Sequence, residues 1–412
     1  MLPQPVATLP PRRPVSALMV VTSIGLGLGS LAVAVLLVLS GGPLPAAIST
    51  LAAAVSVPLL ILVTMWLDRY EPEPRRYLLA ALGWGGVGAT ALAFVIESAA
   101  GAAGASDGVS AAIVAPFTEE FTKGLFLVFI MIWRRREVDG ILDGIVYAAF
   151  VAIGFAFVEN ILYYQSSLDE SGLGGLTVTF VLRGVFGPFA HPLFTSATGI
   201  GLGVAITTRR PALRIIAPVL GYLTAVLLHG VWNGSAVVGG FGGYVTTYFV
   251  GMLPVLGVVI GIGIWARRRE GKMLTSALQQ CAGMGWLAVD EIRWVASLSN
   301  RASARRWIQT HFGKPAAKIA GDYQQTLTEM AFLHNRVMRG VAPATVADAM
   351  NTILYRAMVL RPQVHWPPAP YFPGMPPRMS PPGAPMLPPA PPPGGFQSPP
   401  STYSPIPGSP GR

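Results

Sequence analysis

Between Ala17 and Trp265 the apolar residues come in runs too long for the core of a water-soluble domain. A helix that crosses a bilayer needs about 20 of them, each adding about 1.5 Å. Eight segments meet that length: Ala17–Ser40, Ala46–Leu67, Tyr77–Ile96, Ala111–Trp133, Ile141–Tyr163, Val181–Ile206, Ile215–Val238 and Tyr244–Trp265. From Ala266 the pattern changes. Charged residues mix with apolar ones at helical spacing, as in Trp286, Val289, Ile292 and Val295, and predict a small helical region reaching Arg361. From Pro362 onward more than a third of the residues are proline, a composition that cannot bury a core and favours disordered, polyproline II-like chain. The expected architecture is all-α: a cytoplasmic segment 1–16, a polytopic membrane bundle 17–265, a cytoplasmic helical region 266–361 and a Pro-rich tail 362–412. That tail reads as a solvated segment or as a docking site for an unknown protein.

Composition agrees with the pattern. Mean hydropathy is +0.53 and only 12% of residues are charged, against about 25% in ordinary soluble domains. The first segment follows Arg12 and Arg13 like a signal peptide, but its apolar core is longer than an h-region, so it reads as a retained helix. The single cysteine, Cys281, excludes an intramolecular disulfide and a Cys-rich zinc site. A net charge of +10 invites a nucleic-acid reading, but the basic residues sit at helix ends and in the tail, where they set topology. No nucleic-acid partner is expected; the bilayer is.

The basic clusters fall in alternate connections: Arg12/Arg13, Arg69/Arg75/Arg76, Arg134/Arg135/Arg136, Arg209/Arg210/Arg214 and Arg267/Arg268/Arg269. The other four loops hold no Lys or Arg. Under the positive-inside rule this gives an even number of spans in the plasma membrane and two cytoplasmic termini. The sixth span is irregular, because Leu176–Ile206 is long for one untilted helix and contains Arg183, Pro188 and Pro192. Its transmembrane part is placed at Val181–Ile206, with the preceding residues interfacial or re-entrant.

Few polar groups lie at lipid depth, where each charge costs at least ~2.5–3.5 kcal/mol and usually marks function. They are Glu119, Glu120 and Lys123 in FTEEFTKGL, Glu159 and Asn160 in GFAFVEN, His191 in FAHPLF, and His229 and Asn233 in HGVWN, with Asp143 nearer the cytoplasmic end of its helix. At 1.5 Å per residue, Glu119 lies about 12 Å, Glu159 about 7 Å, and His191 and His229 about 14 Å from the outer helix ends. Helices of alternating direction therefore deliver these groups to one layer in the outer half of the membrane. Lys123 reaches both glutamates by helical spacing, and His229 shares a face with Asn233.

Paired carboxylates with two imidazoles suit water activation. A carboxylate takes a proton from water, and His or Glu holds a divalent ion, zinc being the natural choice for imidazole with carboxylate. A lone intramembrane His or Asn also serves as interhelical glue, and a proton- or ion-coupled transporter places the same residue types near mid-membrane. Inverted repeats, the mark of many transporters, are not visible. Aspartyl, GxSG-type serine, HExxH and cysteine protease signatures are missing as well.

The order and spacing of EExxK (Glu119, Glu120, Lys123), FxxxEN (Phe155, Glu159, Asn160), isolated His191 and HxxxN (His229, Asn233) resemble the PrsW family of intramembrane metalloproteases, related to the wider CAAX-protease superfamily. The cytoplasmic DRYEPEP segment, Asp68–Pro74, is similar as well, and the resemblance covers roughly Pro58–Trp265. It implies cleavage of membrane-anchored proteins, such as anti-sigma factors, near the outer side of the membrane. The expected roles are Glu119 or Glu120 as general base with the other paired to Lys123, and His191 and His229 as metal ligands or, in a metal-free glutamate/histidine hydrolase, as groups that polarise the water. Glu159 is a third ligand or second acid/base, and Asn233 orients the scissile carbonyl or stabilises its oxyanion.

Overall fold

The computed structural model describes residues 41–133, 138, 140–340 and 346–368, with scattered positions between 25 and 39, and every regular element described is a helix. Segment 1–16, much of the first expected span, Arg134/Arg135/Arg136 and the chain from 369 lie outside the described residues.

Helices α1 (Pro43–Ala54) and α2 (Val57–Leu67) are followed by α3 (Arg75–Gly83), which passes through a π-helical stretch into α4 (Thr90–Ala102). Next come α5 (Ala115–Trp133), α6 (Ile141–Thr179), α7 (Ala190–Thr207), α8 (Pro211–Thr247) and α9 (Leu253–Gly283). Among the described residues, four helical stretches are long and apolar enough to cross a membrane: Pro43–Leu67, Arg75–Ala102, Ile141–Thr207 and Pro211–Gly283. The last two hold 67 and 73 residues, more than one crossing of a ~30 Å hydrocarbon core requires. Each is broken by a glycine of positive φ, Gly172 at 62° and Gly240 at 56°. Helix α5 is 19 residues long but carries three ionisable side chains, which sets it apart from that group.

Helix α6 is the centre of the first unit, which comprises the described residues to Asp68 and Pro72–Ala266. Every residue from Leu142 to Ala156 is buried, as expected of a helix apolar all round. Helix α7 packs on it closely: a Cβ added at Gly144 would meet the Gly199 carbonyl oxygen at 2.1 Å.

One expectation is corrected here. The sequence runs a single helix across Val181–Ile206, whereas a π-helical stretch ends at Phe186 and α7 starts at Ala190. Pro188 has no amide to continue the ladder, and Gly187, with φ −101° and ψ 11°, leaves helical geometry. His191 consequently lies in the first turn of a helix.

The second unit, Arg69–Glu71 with Arg267 onward, contains α10 (Val289–Ala296), α11 (Leu298–Met338) and α12 (Val346–Leu360). Its core gathers Leu274, Leu278, Cys281, Tyr323, Leu327 and Met330. Of the four apolar positions spaced from Trp286, Val295 is buried and Val289 is 72% exposed, because α10 begins only at Val289. Packing also continues past the expected boundary at Arg361: Trp366 stacks on Trp294 and its indole N–H reaches Glu291 Oε1 at 3.5 Å.

Candidate active site

Helix α5 sorts its side chains by face. Phe117 and Phe121 are 48% and 51% exposed, while Thr118, Glu119, Glu120, Thr122 and Lys123 are buried. The polar face needs partners from the bundle, since lipid offers none.

Lys123 is the hub. Its Nζ donates to Glu119 Oε2 at 3.1 Å and Glu120 Oε1 at 2.9 Å, and stands 3.0 Å from His191 Nδ1. The Phe155 ring lies 3.9 Å from the same ammonium, a cation–π contact. An ammonium has only donors, so His191 Nδ1 accepts and the ring proton is assigned to Nε2. That nitrogen donates to Glu159 Oε2 at 2.6 Å.

His229 is held in the mirror sense. Its Nδ1 donates to Glu120 Oε1 at 3.1 Å, and Thr195 Oγ1 donates to the other Glu120 oxygen at 2.8 Å. Phe194 stacks on the His229 ring at 4.9 Å between centroids. The inner nitrogens, His191 Nδ1 and His229 Nε2, then lie 3.9 and 3.8 Å from one atom, Glu119 Oε2. Two imidazoles, each backed by a carboxylate, face a third carboxylate.

Donor atoms of Glu119, His191 and His229 all lie within 4.8 Å of one another. Two imidazoles and a carboxylate are a set zinc uses, and a carboxylate behind each imidazole is the usual outer arrangement of metal-binding histidines. The residues fit a divalent ion. Lys123 shares two of the three donors, so its ammonium and such an ion draw on the same lone pairs.

Among the expected site residues, Glu119, Glu120, Lys123, Glu159, His191 and His229 join this cluster. Asn233 does not: its amide donates to the Ala111 carbonyl at 3.0 Å, tying α8 to the stretch before α5. Glu159 stands outside the three-donor group and instead receives Arg183 Nη2 at 2.6 Å. Asp143 accepts from the Gly140 amide at 3.0 Å, at the start of α6.

Two participants escaped the sequence reading. Arg183 was assigned to an irregular span edge; its visible signal is that, with Lys123, it is a basic residue inside an apolar run. Glu97 lies one residue past the expected end of the third span, so it read as loop. Its buried Oε1 has no hydrogen-bond partner among the described residues, and the charges of Glu159 and Lys123 bear on it.

Fold and site together define an integral membrane protein of helices with a glutamate–histidine centre of the kind that activates water. A family model described as PrsW family intramembrane metalloprotease matches residues 73–272. Protease PrsW of Oceanobacillus iheyensis is 37% identical over 115 residues, covering 28% of this chain and 48% of the relative. Protease PrsW of Geobacillus kaustophilus is 31% identical over 191 residues, 45% of this chain and 78% of the relative. Protease PrsW of Clostridioides difficile is 32% identical over 121 residues, 29% of this chain and 49% of the relative. The chain thus spans about half the length of two of these curated relatives and most of the third. It belongs to the PrsW family of intramembrane metalloproteases. No solved structure matches it. Family membership does not favour a transporter.

Proposed function

We propose that this protein hydrolyses peptide bonds of membrane-anchored protein substrates, with its reacting centre at Glu119. The observation that carries the reading is the convergence of His191 Nδ1 and His229 Nε2 on Glu119 Oε2, at 3.9 and 3.8 Å. Glu120 is fully engaged by Lys123, His229 and Thr195, which suits it to orient His229. The Glu119 carboxylate takes a proton from water as the water oxygen attacks the scissile carbonyl carbon. The C–N bond then breaks and the same proton passes to the leaving amine. Lys123 supplies positive charge to the oxyanion, replacing Asn233, whose amide is engaged elsewhere. A divalent ion held by Glu119, His191 and His229, zinc being the best match to these donors, would supply Lewis acidity to the carbonyl and the water.

The chain is further read as eight spans in the plasma membrane with both termini cytoplasmic. Supporting this, the loops without Lys or Arg turn at Gly42, Gly104, Gly172 and Gly240, whose φ values are all positive. The charged connections alternate with them. The orientation places the site toward the outer leaflet and makes single-span proteins, anti-sigma factors among them, the substrate class. The test is cleavage of a single-span substrate by purified protein in detergent. Glu119→Gln, His191→Ala and His229→Ala should each abolish it while inserting normally; parent-like cleavage by all three would sink the assignment.

A further inference from the structure

The turn at Gly172 folds the chain into a helical hairpin whose arms pair about that residue. Ser167 Oγ meets Thr179 Oγ1 at 2.7 Å, the Tyr164 and Phe180 rings lie 6.0 Å apart, and Arg183 faces Glu159 and Asn160. Arg183 makes three contacts with one stretch of α6. Nη2 donates to Glu159 Oε2 at 2.6 Å, Nε donates to Asn160 Oδ1 at 2.7 Å, and the guanidinium lies 3.9 Å from the centroid of the Tyr163 ring. Three anchors leave the head group little freedom, and Arg holds such forked positions where Lys cannot.

The Glu159 oxygen that Arg183 grips is the one that accepts from His191 Nε2 at 2.6 Å. Arg183 is hydrogen-bonded to Glu159 and Asn160 and to none of Glu119, Lys123 or His191. Its hydrogen-bonded route to the centre runs through the Glu159 carboxylate, beside the reach of its charge to Glu119. A glutamate in a membrane helix would otherwise choose among rotamers, and His191, in the first turn of α7, could offer either nitrogen to the centre. We propose that Arg183 is a positioning residue: by fixing Glu159 it holds the His191 proton on Nε2 and turns Nδ1 toward Glu119 and His229. This rests on the proposed function for its kinetic effect, though not for its effect on the imidazole. A bland alternative exists, in which Arg183 merely staples the hairpin.

The experiment compares parent, Arg183→Gln, Arg183→Lys and Asn160→Ala in purified, folded protein, with two readouts. One is the ¹⁵N signal pattern of His191 imidazole, which reports the tautomer; the other is kcat and KM on a single-span substrate. Positioning predicts that Arg183→Gln mixes the two tautomers and lowers kcat by about 10–100-fold, the usual cost of losing an outer-shell partner, with KM little changed. Added guanidinium should restore part of the loss. Arg183→Lys, which cannot grip both partners, should fall between, and serves alone if the Gln variant does not fold. Asn160→Ala keeps the Glu159 bond and should retain the parental His191 signals. Parental signals and kcat in folded Arg183→Gln, or in Arg183→Lys where it stands alone, would overturn the proposal. So would equal loss of stability in Arg183→Gln and Asn160→Ala with unchanged imidazole signals. Should the parent cleave nothing, the functional reading fails, while the His191 signals still decide the role of Arg183.

Discussion

His191 Nε2 and Glu159 Oε2 lie 2.6 Å apart, the tightest polar contact between α6 and α7 among those described. Arg183 Nη2 sits at the same distance from that oxygen, so one carboxylate oxygen serves an imidazole and a guanidinium together. Glu159 therefore faces away from the three-donor group rather than into it. Replacing it with Gln keeps the shape but puts an amide where two donors converge. Glu159→Gln should leave the protein folded and lower kcat about 10–100-fold, whereas Glu119→Gln should leave no measurable turnover. Equal effects of the two, measured as kcat on one substrate, would contradict the division of roles.

The approach of α6 to α7 sets where His191 stands. A Cβ on Gly144 would sit 2.1 Å from the Gly199 carbonyl oxygen, and one on Gly199 equally close to that of Gly144. Backbone cannot yield as a side-chain end can, so Gly144→Ala has to part the helices. Overpacking of this kind costs about 1–3 kcal/mol. The expected result is a lower thermal midpoint in detergent together with reduced cleavage. An unchanged midpoint would mean that the helices have slack at this crossing.

Topology can be read independently of chemistry. Reporters active only outside the cytoplasm should work after Gly42, Gly104, Gly172 and Gly240, and stay silent after Glu73, Pro211 and Gly271. Activity after Gly271 would break the even count and move the centre to the other leaflet.

Much of this centre was legible because the membrane makes polarity rare. In a chain with few charges at lipid depth, Glu119, Glu120, Lys123, Glu159, His191 and His229 stand out by composition alone, and a shared depth groups them. Long apolar runs gave the helical character for the same reason. What sequence did not disclose was pairing. Asn233 shares a helical face with His229, yet its amide goes to Ala111, a choice set by the approach of α8 to the segment before α5. Arg183 looked peripheral because hydropathy shows a reversal between the fifth and sixth spans but not the register across it that carries Arg183 to Glu159. The roles of the two adjacent glutamates separate only when Thr195, distant in sequence, donates to Glu120.

The DRYEPEP segment yields a pH prediction separate from the centre. Asp68 is 6% exposed, and its Oδ2 accepts from the Glu73 amide at 2.8 Å. Burial pushes its pKa up from 3.8 to about 8, opposed by the Glu73 hydrogen bond and assisted by the nearby Asp143 charge. The folded pKa thus exceeds the unfolded one. Below about 3.8 both states hold the proton and Asp68 costs nothing; as pH rises toward 8 the unfolded chain releases it more readily, and stability falls across that window. Above about 8 both forms are ionised and the loss is complete. Asp68→Asn keeps an oxygen for the Glu73 amide and resembles the protonated acid, so it should match the parent near pH 4 and exceed its thermal midpoint near pH 8. Groups not coupled to Asp68 titrate alike in both proteins, so the difference between the two midpoint-versus-pH curves reports Asp68 together with its coupling to Asp143. Parallel curves would show that the carboxyl of Asp68 titrates alike in the folded and unfolded chain.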